Sequence, residues 1–261
     1  MLQFLAGLPR SGSTLLCNIL AQHPDLNVTP TSPLVNIVGT TRDNWRQWHR
    51  AVPEQGSDER LFTTLRGLLE GYHATPTIDK NRGWVANIET VEMALAKPMR
   101  LIVTVRELED VVASFELMWR QNIAAGRVPA QLRGAPEMRS VDGRVKTWLR
   151  EGDVIGGPLA DLVDADRRGL RDRMTVVKYR DLAENPGPTV AQVSKAIGLS
   201  FFNFDFNNVA QATHEDDEVH GYTNLHTIRP KVTANPSRAI EVLGEGLVHE
   251  LRKYKGWWDD C

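Results

Sequence analysis

Several absences narrow what this chain can be. Among its 261 residues there are two cysteines, Cys17 and Cys261. That is too few for a disulfide framework, and neither falls in a Cys-x-x-Cys or Cys/His ligand spacing. No stretch approaches the roughly 18 apolar residues of a membrane span. No charged leader precedes the opening run Leu2-Gln3-Phe4-Leu5-Ala6, so a soluble, cytoplasmic protein is expected. Charge of one sign is not in excess either. The 31 basic and 33 acidic side chains leave a formal net charge of −2, which excludes a long nucleic acid held by bulk charge. There is no internal repeat and no low-complexity tract. What remains is an ordinary globular composition, 41% hydrophobic and 25% charged, too apolar and too evenly charged for disorder. At this length roughly 70–75% of the unfolded surface can be buried without staples, and one domain over residues 1–261 is expected.

Apolar patterning sets the fold class. The run at residues 2–6 stops at Gly7 and predicts a strand buried on both faces. Residues 15–21 have helical spacing, ended by His23-Pro24. Short strands are predicted at 26–28 and 75–79, the clearest one at Leu101-Ile102-Val103-Thr104-Val105, and another at 174–179. Helices are expected through much of 34–75, over 108–121 and 189–197, and from 237 to 254, with a surface loop at 126–143. Strands spaced by helices predict an α/β fold in three layers, a central parallel sheet of about five strands flanked by helices.

Between the first strand and the first helix lies Gly7-Leu8-Pro9-Arg10-Ser11-Gly12-Ser13-Thr14. In that setting glycines let the backbone turn tightly, so that N–H groups and the helix N-terminus face an anion. Ser13 and Thr14 add hydroxyl donors, and Arg10 adds a planar fork suited to oxyanions. The plainer alternative is a Gly/Ser turn that only opens a helix. The loop differs from a nucleoside-triphosphatase loop, Gly-x-x-x-x-Gly-Lys-Ser/Thr: the glycine spacing is kept, but Ser13 occupies the lysine position. The strand at 101–105 is followed by Arg106, not by the aspartate that would help hold Mg²⁺. A phosphate-bearing nucleotide bound without a metal is therefore expected. Ser114 follows eight residues after Arg106; if the intervening helix folds back beside the strand end, guanidinium and hydroxyl converge on one further phosphate.

The segment Leu8-Pro9-Arg10-Ser11-Gly12-Ser13-Thr14-Leu15, followed by Arg106 to Ser114, resembles the sulfotransferase family, in particular its tyrosylprotein and bacterial type with Arg in the loop. A third similar segment is Val177-Lys178-Tyr179-Arg180-Asp181-Leu182 with Pro186. The resemblance implies a P-loop-like fold and the donor 3′-phosphoadenosine 5′-phosphosulfate (PAPS), with 3′,5′-adenosine bisphosphate as product. It implies that residues 9–15 bind the 5′-phosphosulfate, that Arg106 and Ser114 bind the 3′-phosphate, that Tyr179 lies near the adenine, and that Lys80 faces the transferred sulfonate. A third basic group for the 3′-phosphate is expected among Arg229, Lys231 and Arg238.

Sulfuryl transfer requires positioning and stabilisation of spread negative charge, roles that fall to Arg10, Lys80, Ser13 and the loop amides. It also requires a base for the acceptor proton. Here the sequence departs from its relatives. Arg82 stands where the cytosolic type has histidine, and Thr29-Pro30-Thr31-Ser32 where the tyrosylprotein type has glutamate. Asp79, His49 and His73 remain as candidate bases. The run His214-Glu215-Asp216-Asp217-Glu218-Val219-His220 reads as a solvated acidic loop, since its spacing supplies no closed ligand set. The acceptor, a small molecule, glycan or peptide offering a hydroxyl or amine, is expected to contact the acceptor or lid segments at 31–75 and 203–236. An ATP-dependent small-molecule kinase on the same core, or a nucleotide-binding protein without catalysis, are the alternatives.

Overall fold

The computed structural model describes residues 2–127 and 134–260. Five strands, β1 (Leu2–Gly7), β2 (Asn27–Thr31), β3 (Thr77–Lys80), β4 (Leu101–Val105) and β5 (Met174–Lys178), form one sheet in the order β2-β3-β1-β4-β5. All neighbours run parallel, with Leu2 opposite Thr77, Phe4 opposite Leu101 and Leu101 opposite Met174. The C-terminal ends of the strands therefore share one edge. The order reverses about β1, the place where open parallel sheets bind ligands.

Alternation along the strands makes the layers. Leu5, Ile78, Ile102 and Val177 bury one face of the sheet against α1 (Ser13–Leu20), α8 (Tyr179–Glu184) and α9 (Pro186–Ile197). Phe4, Ala6, Leu101 and Val103 bury the other against α2 (Leu34–Ala51), α3 (Ser57–Gly71), α4 (Ile88–Leu95) and α7 (Gly156–Arg167). A third cluster joins α5 (Leu108–Ala124) to α6 (Val141–Trp148), α10 (Ala239–Leu243) and α11 (Glu245–Leu251).

The predicted strands and the helix after β4 are found where the patterning put them, within a few residues. Four expectations differ. Residues 128–133 of the expected surface loop lie outside the described residues, but its remainder carries a 3₁₀ turn at Pro136–Arg139 and the start of α6. Ser140 caps that helix by accepting from the Gly143 N–H at 3.0 Å, a local signal that the Gly, Pro and Arg content obscured. The expected final helix is two short ones broken at Gly244, whose φ of 84° no helix contains. Tyr179 opens α8 and does not end the strand. In segment 31–75, α2 and α3 bury Leu34, Val38, Leu61, Leu65 and Leu69 in the core, and of that segment only Thr31 lines the main cleft.

Candidate active site

The glycine loop is shaped by two close backbone approaches. Gly7 ends β1 at φ 134°, and a Cβ there would lie 2.0 Å from the Thr104 carbonyl oxygen. Only glycine allows β1 to lie that close to β4. The neighbouring Leu8 N–H donates to the same oxygen at 2.9 Å. Gly12 precedes α1 at φ 91°, where a Cβ would lie 2.8 Å from the Tyr179 ring. Among the described residues, the N–H groups of Gly12, Ser13 and Thr14 have no backbone acceptor outside the helix and no side-chain cap, so the helix N-terminus is left to face an anion.

The Ser11 side chain is not turned to the cleft. It is fully buried, with its Oγ 2.7 Å from Thr104 Oγ1 and against the carbonyls of Leu8 and Thr104. Its hydroxyl fastens the loop to β4 and does not line the cleft. Pro9, Arg10, Gly12, Ser13, Thr14 and Leu15 do.

Arg10 adopts a left-handed backbone, φ 59°, which turns its side chain across the sheet edge. Its Nε donates to Ser114 Oγ at 3.1 Å, and its Nη1 to the Leu225 carbonyl. Arg106 leaves β4 beside it, donating from Nη1 to the Arg10 carbonyl at 3.2 Å and stacking 4.4 Å from the Tyr179 ring centre. Burial, reinforced by the Arg106 charge, pulls the Arg10 pKa below the ordinary arginine value. Two guanidiniums thus stand side by side at the strand ends, and the Arg106 Nε is buried with no partner among the described residues. A buried donor left unpaired costs stability unless a ligand accepts from it. The chemistry of this set fits an anion of high charge. Arg10 therefore bonds Ser114 and stands beside Arg106, while Lys80 pairs with Glu215.

That cleft, about 940 Å³, runs along the strand ends. Tyr179, Arg229, Lys231 and Arg238 line it with the arginine pair, while Lys80, Arg82, Trp148 and Tyr222 line it elsewhere. Arg229 is tied to Asn235 at 3.2 Å, and Arg238 pairs with Glu241.

The bases expected from the sequence are not in it. Asp79 alternates to the opposite face of β3 from Lys80, fully buried, accepting from His73 Nε2 at 2.8 Å and from Trp84 Nε1 at 2.8 Å. It fastens the core, and His73 serves it. His49 sits on α2 against the Val52 carbonyl and Glu54. None of the three lines the cleft.

The acidic run is solvated only in part: His214, Asp216 and Glu218 are exposed as expected, but Glu215 and Asp217 turn inward. Segment 203–236, irregular apart from a 3₁₀ turn at Asp217–His220, crosses the cleft as a strap. Asn18 of α1 holds it, accepting from the Thr213 N–H at 3.0 Å and donating to Thr213 Oγ1 at 3.1 Å. Gln211 clasps it internally, donating to the carbonyls of Thr213 at 2.7 Å and His226 at 3.1 Å. Glu215 reaches Lys80 Nζ at 2.7 Å and accepts from the Thr31 N–H at 2.9 Å. Burial would raise the Glu215 pKa, but the Lys80 hydrogen bond and charge hold it below the ordinary glutamate value. Asp217 lies 2.6 Å from His226 Nδ1. Glu215, Asp217 and His226 escaped the sequence reading because no periodicity brings residues of an irregular segment to a strand end.

The sequence model of the Sulfotransferase family matches residues 4–203, which is most of the chain. The chain belongs to the sulfotransferase family. No curated protein matches it. Among solved structures, this sulfotransferase is similar to the sulfotransferase domain from the curacin biosynthetic pathway, 15% identical, covering 98% of each chain at a TM-score of 0.55. It is also similar to the sulfotransferase domain of the Synechococcus olefin synthase, 18% identical over 97% of this chain and 94% of that one, TM-score 0.50. A mouse sulfotransferase solved in complex with PAP, the adenosine bisphosphate, is 13% identical over 97% of this chain and 88% of that one, TM-score 0.52. At these identities the likeness shows a shared fold, a parallel five-stranded sheet covered by helices, and the family supplies the activity of sulfuryl transfer.

Proposed function

We propose that this sulfotransferase takes its sulfuryl group from PAPS and passes it to a hydroxyl or amine by in-line displacement. The observation that carries the reading is the adjacent pair Arg10 and Arg106, with Ser114 bonded to Arg10 and the Arg106 Nε buried and unpartnered among the described residues. This is a polar socket for the 3′-phosphate that distinguishes PAPS from other adenine nucleotides. The N–H groups of Gly12, Ser13 and Thr14 and the two hydroxyls would hold the 5′ end, as anions are held at helix N-termini. Tyr179, stacked under Arg106, would border the adenine, and Arg229, Lys231 and Arg238 would add positive charge along the cleft.

When bound, PAPS supplies a sulfuryl group on a phosphate leaving group. The chain's task is to orient it and to offset the negative charge that spreads as the bond to the acceptor forms. Lys80, whose side chain is 7% exposed at the end of β3, is the cation suited to that role; Glu215 keeps it extended across the cleft. Segment 203–236 acts as the lid, and Phe115, Trp148 and Tyr222 give the acceptor an apolar wall.

Adenosine bisphosphate should raise the melting temperature without Mg²⁺. Arg106→Ala should weaken that binding roughly 100-fold, the worth of two hydrogen bonds to a charged group. Lys80→Ala should slow transfer of labelled sulfate and leave the thermal shift in place. Stabilisation by ATP with Mg²⁺ but not by the bisphosphate would make the PAPS reading wrong.

A further inference from the structure

We propose that His226 is the general base of the sulfuryl transfer and that Asp217 positions it. The inference rests on the PAPS reading above and concerns the same cleft.

Three groups in the strap and at the strand end are candidates to take a proton, and their hydrogen bonds separate them. Glu215 is already committed: one oxygen accepts from Lys80 Nζ at 2.7 Å and from the Thr31 N–H at 2.9 Å, and the other faces His226 Nδ1 at 3.4 Å. A carboxylate held ionised by a lysine is a poor proton acceptor. Asp217 is equally engaged, with Oδ2 accepting from the His226 N–H at 3.1 Å and Oδ1 2.6 Å from His226 Nδ1. His226 differs. Its Nδ1 side is taken by Asp217, its ring lines the cleft with the side chain 21% exposed, and its Nε2 has no protein partner among the described residues. A carboxylate on Nδ1 keeps the proton there and leaves the Nε2 lone pair free, the arrangement that makes histidine a base in hydrolytic triads.

The charged groups facing the imidazole are Asp217 and Glu215 on its own strap, Lys80 from β3 behind Glu215, and Arg10 from the glycine loop, which donates to the adjacent Leu225 carbonyl. Burial lowers the His226 pKa below the ordinary value, outweighing the Asp217 bond. The ring is therefore neutral at neutral pH, as a base must be. In the step itself the acceptor's O–H or N–H bond breaks and its proton goes to His226 Nε2. The acceptor atom bonds to sulfur, and the bond from sulfur to the 5′-phosphate breaks, leaving its electron pair on the phosphate.

Full-length protein carrying His226→Gln should show a kcat lower by about 100-fold or more, the usual worth of a general base, measured with PAPS and whichever phenol, sugar, amine or peptide the wild type sulfates. The acid limb of the pH–kcat profile should vanish, and the thermal shift with the bisphosphate should persist. Asp217→Asn should move that limb to lower pH, because it removes the negative charge that favours imidazolium; a merely structural Asp217 would lower kcat and leave the limb in place. In the nucleotide-free wild type, long-range ¹H–¹⁵N NMR should find Nδ1 protonated and Nε2 bare, which decides the matter even if a variant folds poorly. A His226→Gln rate within threefold of wild type, or a protonated Nε2 at neutral pH, overturns the base assignment alone. A wild type that binds the bisphosphate but sulfates nothing overturns the transfer reading, and the base with it.

Discussion

The cleft has two walls built on different principles. Residues 7–14, with Arg106 and Ser114, form a wall whose geometry follows from short-range order: a buried strand, two glycines at positive φ, a helix opening at Ser13, and a second strand running into a second helix. The opposite wall, the strap at 203–236, has almost no regular structure and takes its position from long-range hydrogen bonds to Asn18, Lys80 and Thr31. On the proposed reading the first wall would bind through preset backbone N–H groups and guanidiniums. The second brings a carboxylate, an aspartate and a histidine to the place where chemistry needs adjustable protonation. The proposed binding groups sit on or beside regular elements, whereas the proposed proton-handling groups are placed by the hydrogen bonds of an irregular segment.

The harshest way to break the comparison is at Gly7. Alanine there must place a Cβ 2.0 Å from the Thr104 carbonyl oxygen at φ 134°. Backbone strain and overpacking together should cost about 4 kcal/mol, a fall in Tm of roughly 10 °C for a chain of this size. Binding of the bisphosphate should weaken in parallel, because the loop cannot settle against β4. A Gly7→Ala protein that melts within a degree or two of the parent would show that the first wall does not depend on this contact.

The same contrast explains what could be read in advance. The apolar run at 101–105 and the Gly7–Gly12 spacing are local patterns, and they led to the sheet, the loop and the arginine after β4. Lys80 followed from the resemblance, at the end of a strand only four residues long. Nothing in the loop's own pattern shows that the Ser11 hydroxyl is taken by Thr104, 93 residues away. Asp79 stands beside Lys80 in sequence, yet the period of two in a strand sends the two side chains to opposite faces. His226 had no pattern to announce it: its partner Asp217 lies nine residues back across a turn where Asn224 takes a left-handed φ of 57°.

Asn18→Ala tests whether the walls are separable. Asn18 is 1% exposed and serves both, donating to the Thr14 carbonyl at 2.8 Å while bonding Thr213. Its loss leaves strap N–H groups unpaired at a cost of about 2 kcal/mol. Hydrogen exchange at Ala212 and Thr213 should accelerate and sulfuryl transfer should fall, with bisphosphate affinity within threefold of wild type. An equal loss of nucleotide binding would mean that the strap and the loop form one unit.

The smallest effect is the most specific. Glu215 is held below its ordinary pKa by Lys80, so its pairing stabilises the folded protein above the unfolded-state value of about 4.3 and is lost as the pH falls through the lower folded value. Glu215→Gln keeps the shape and removes the charge. At pH 7 the variant should be less stable by about 1 kcal/mol, because the amide oxygen still accepts from Lys80 Nζ and only the charge assistance of that bond is lost. That gap should hold down to about pH 5 and close below about pH 4 as the wild-type carboxylate takes up its proton. Denaturant unfolding of both proteins from pH 7 to pH 3 measures it directly. A gap that persists unchanged at pH 3 would mean that the strap is held to Lys80 by shape and neutral hydrogen bonding, and the contrast between a wall set by local backbone geometry and a wall set by charge would have to be redrawn.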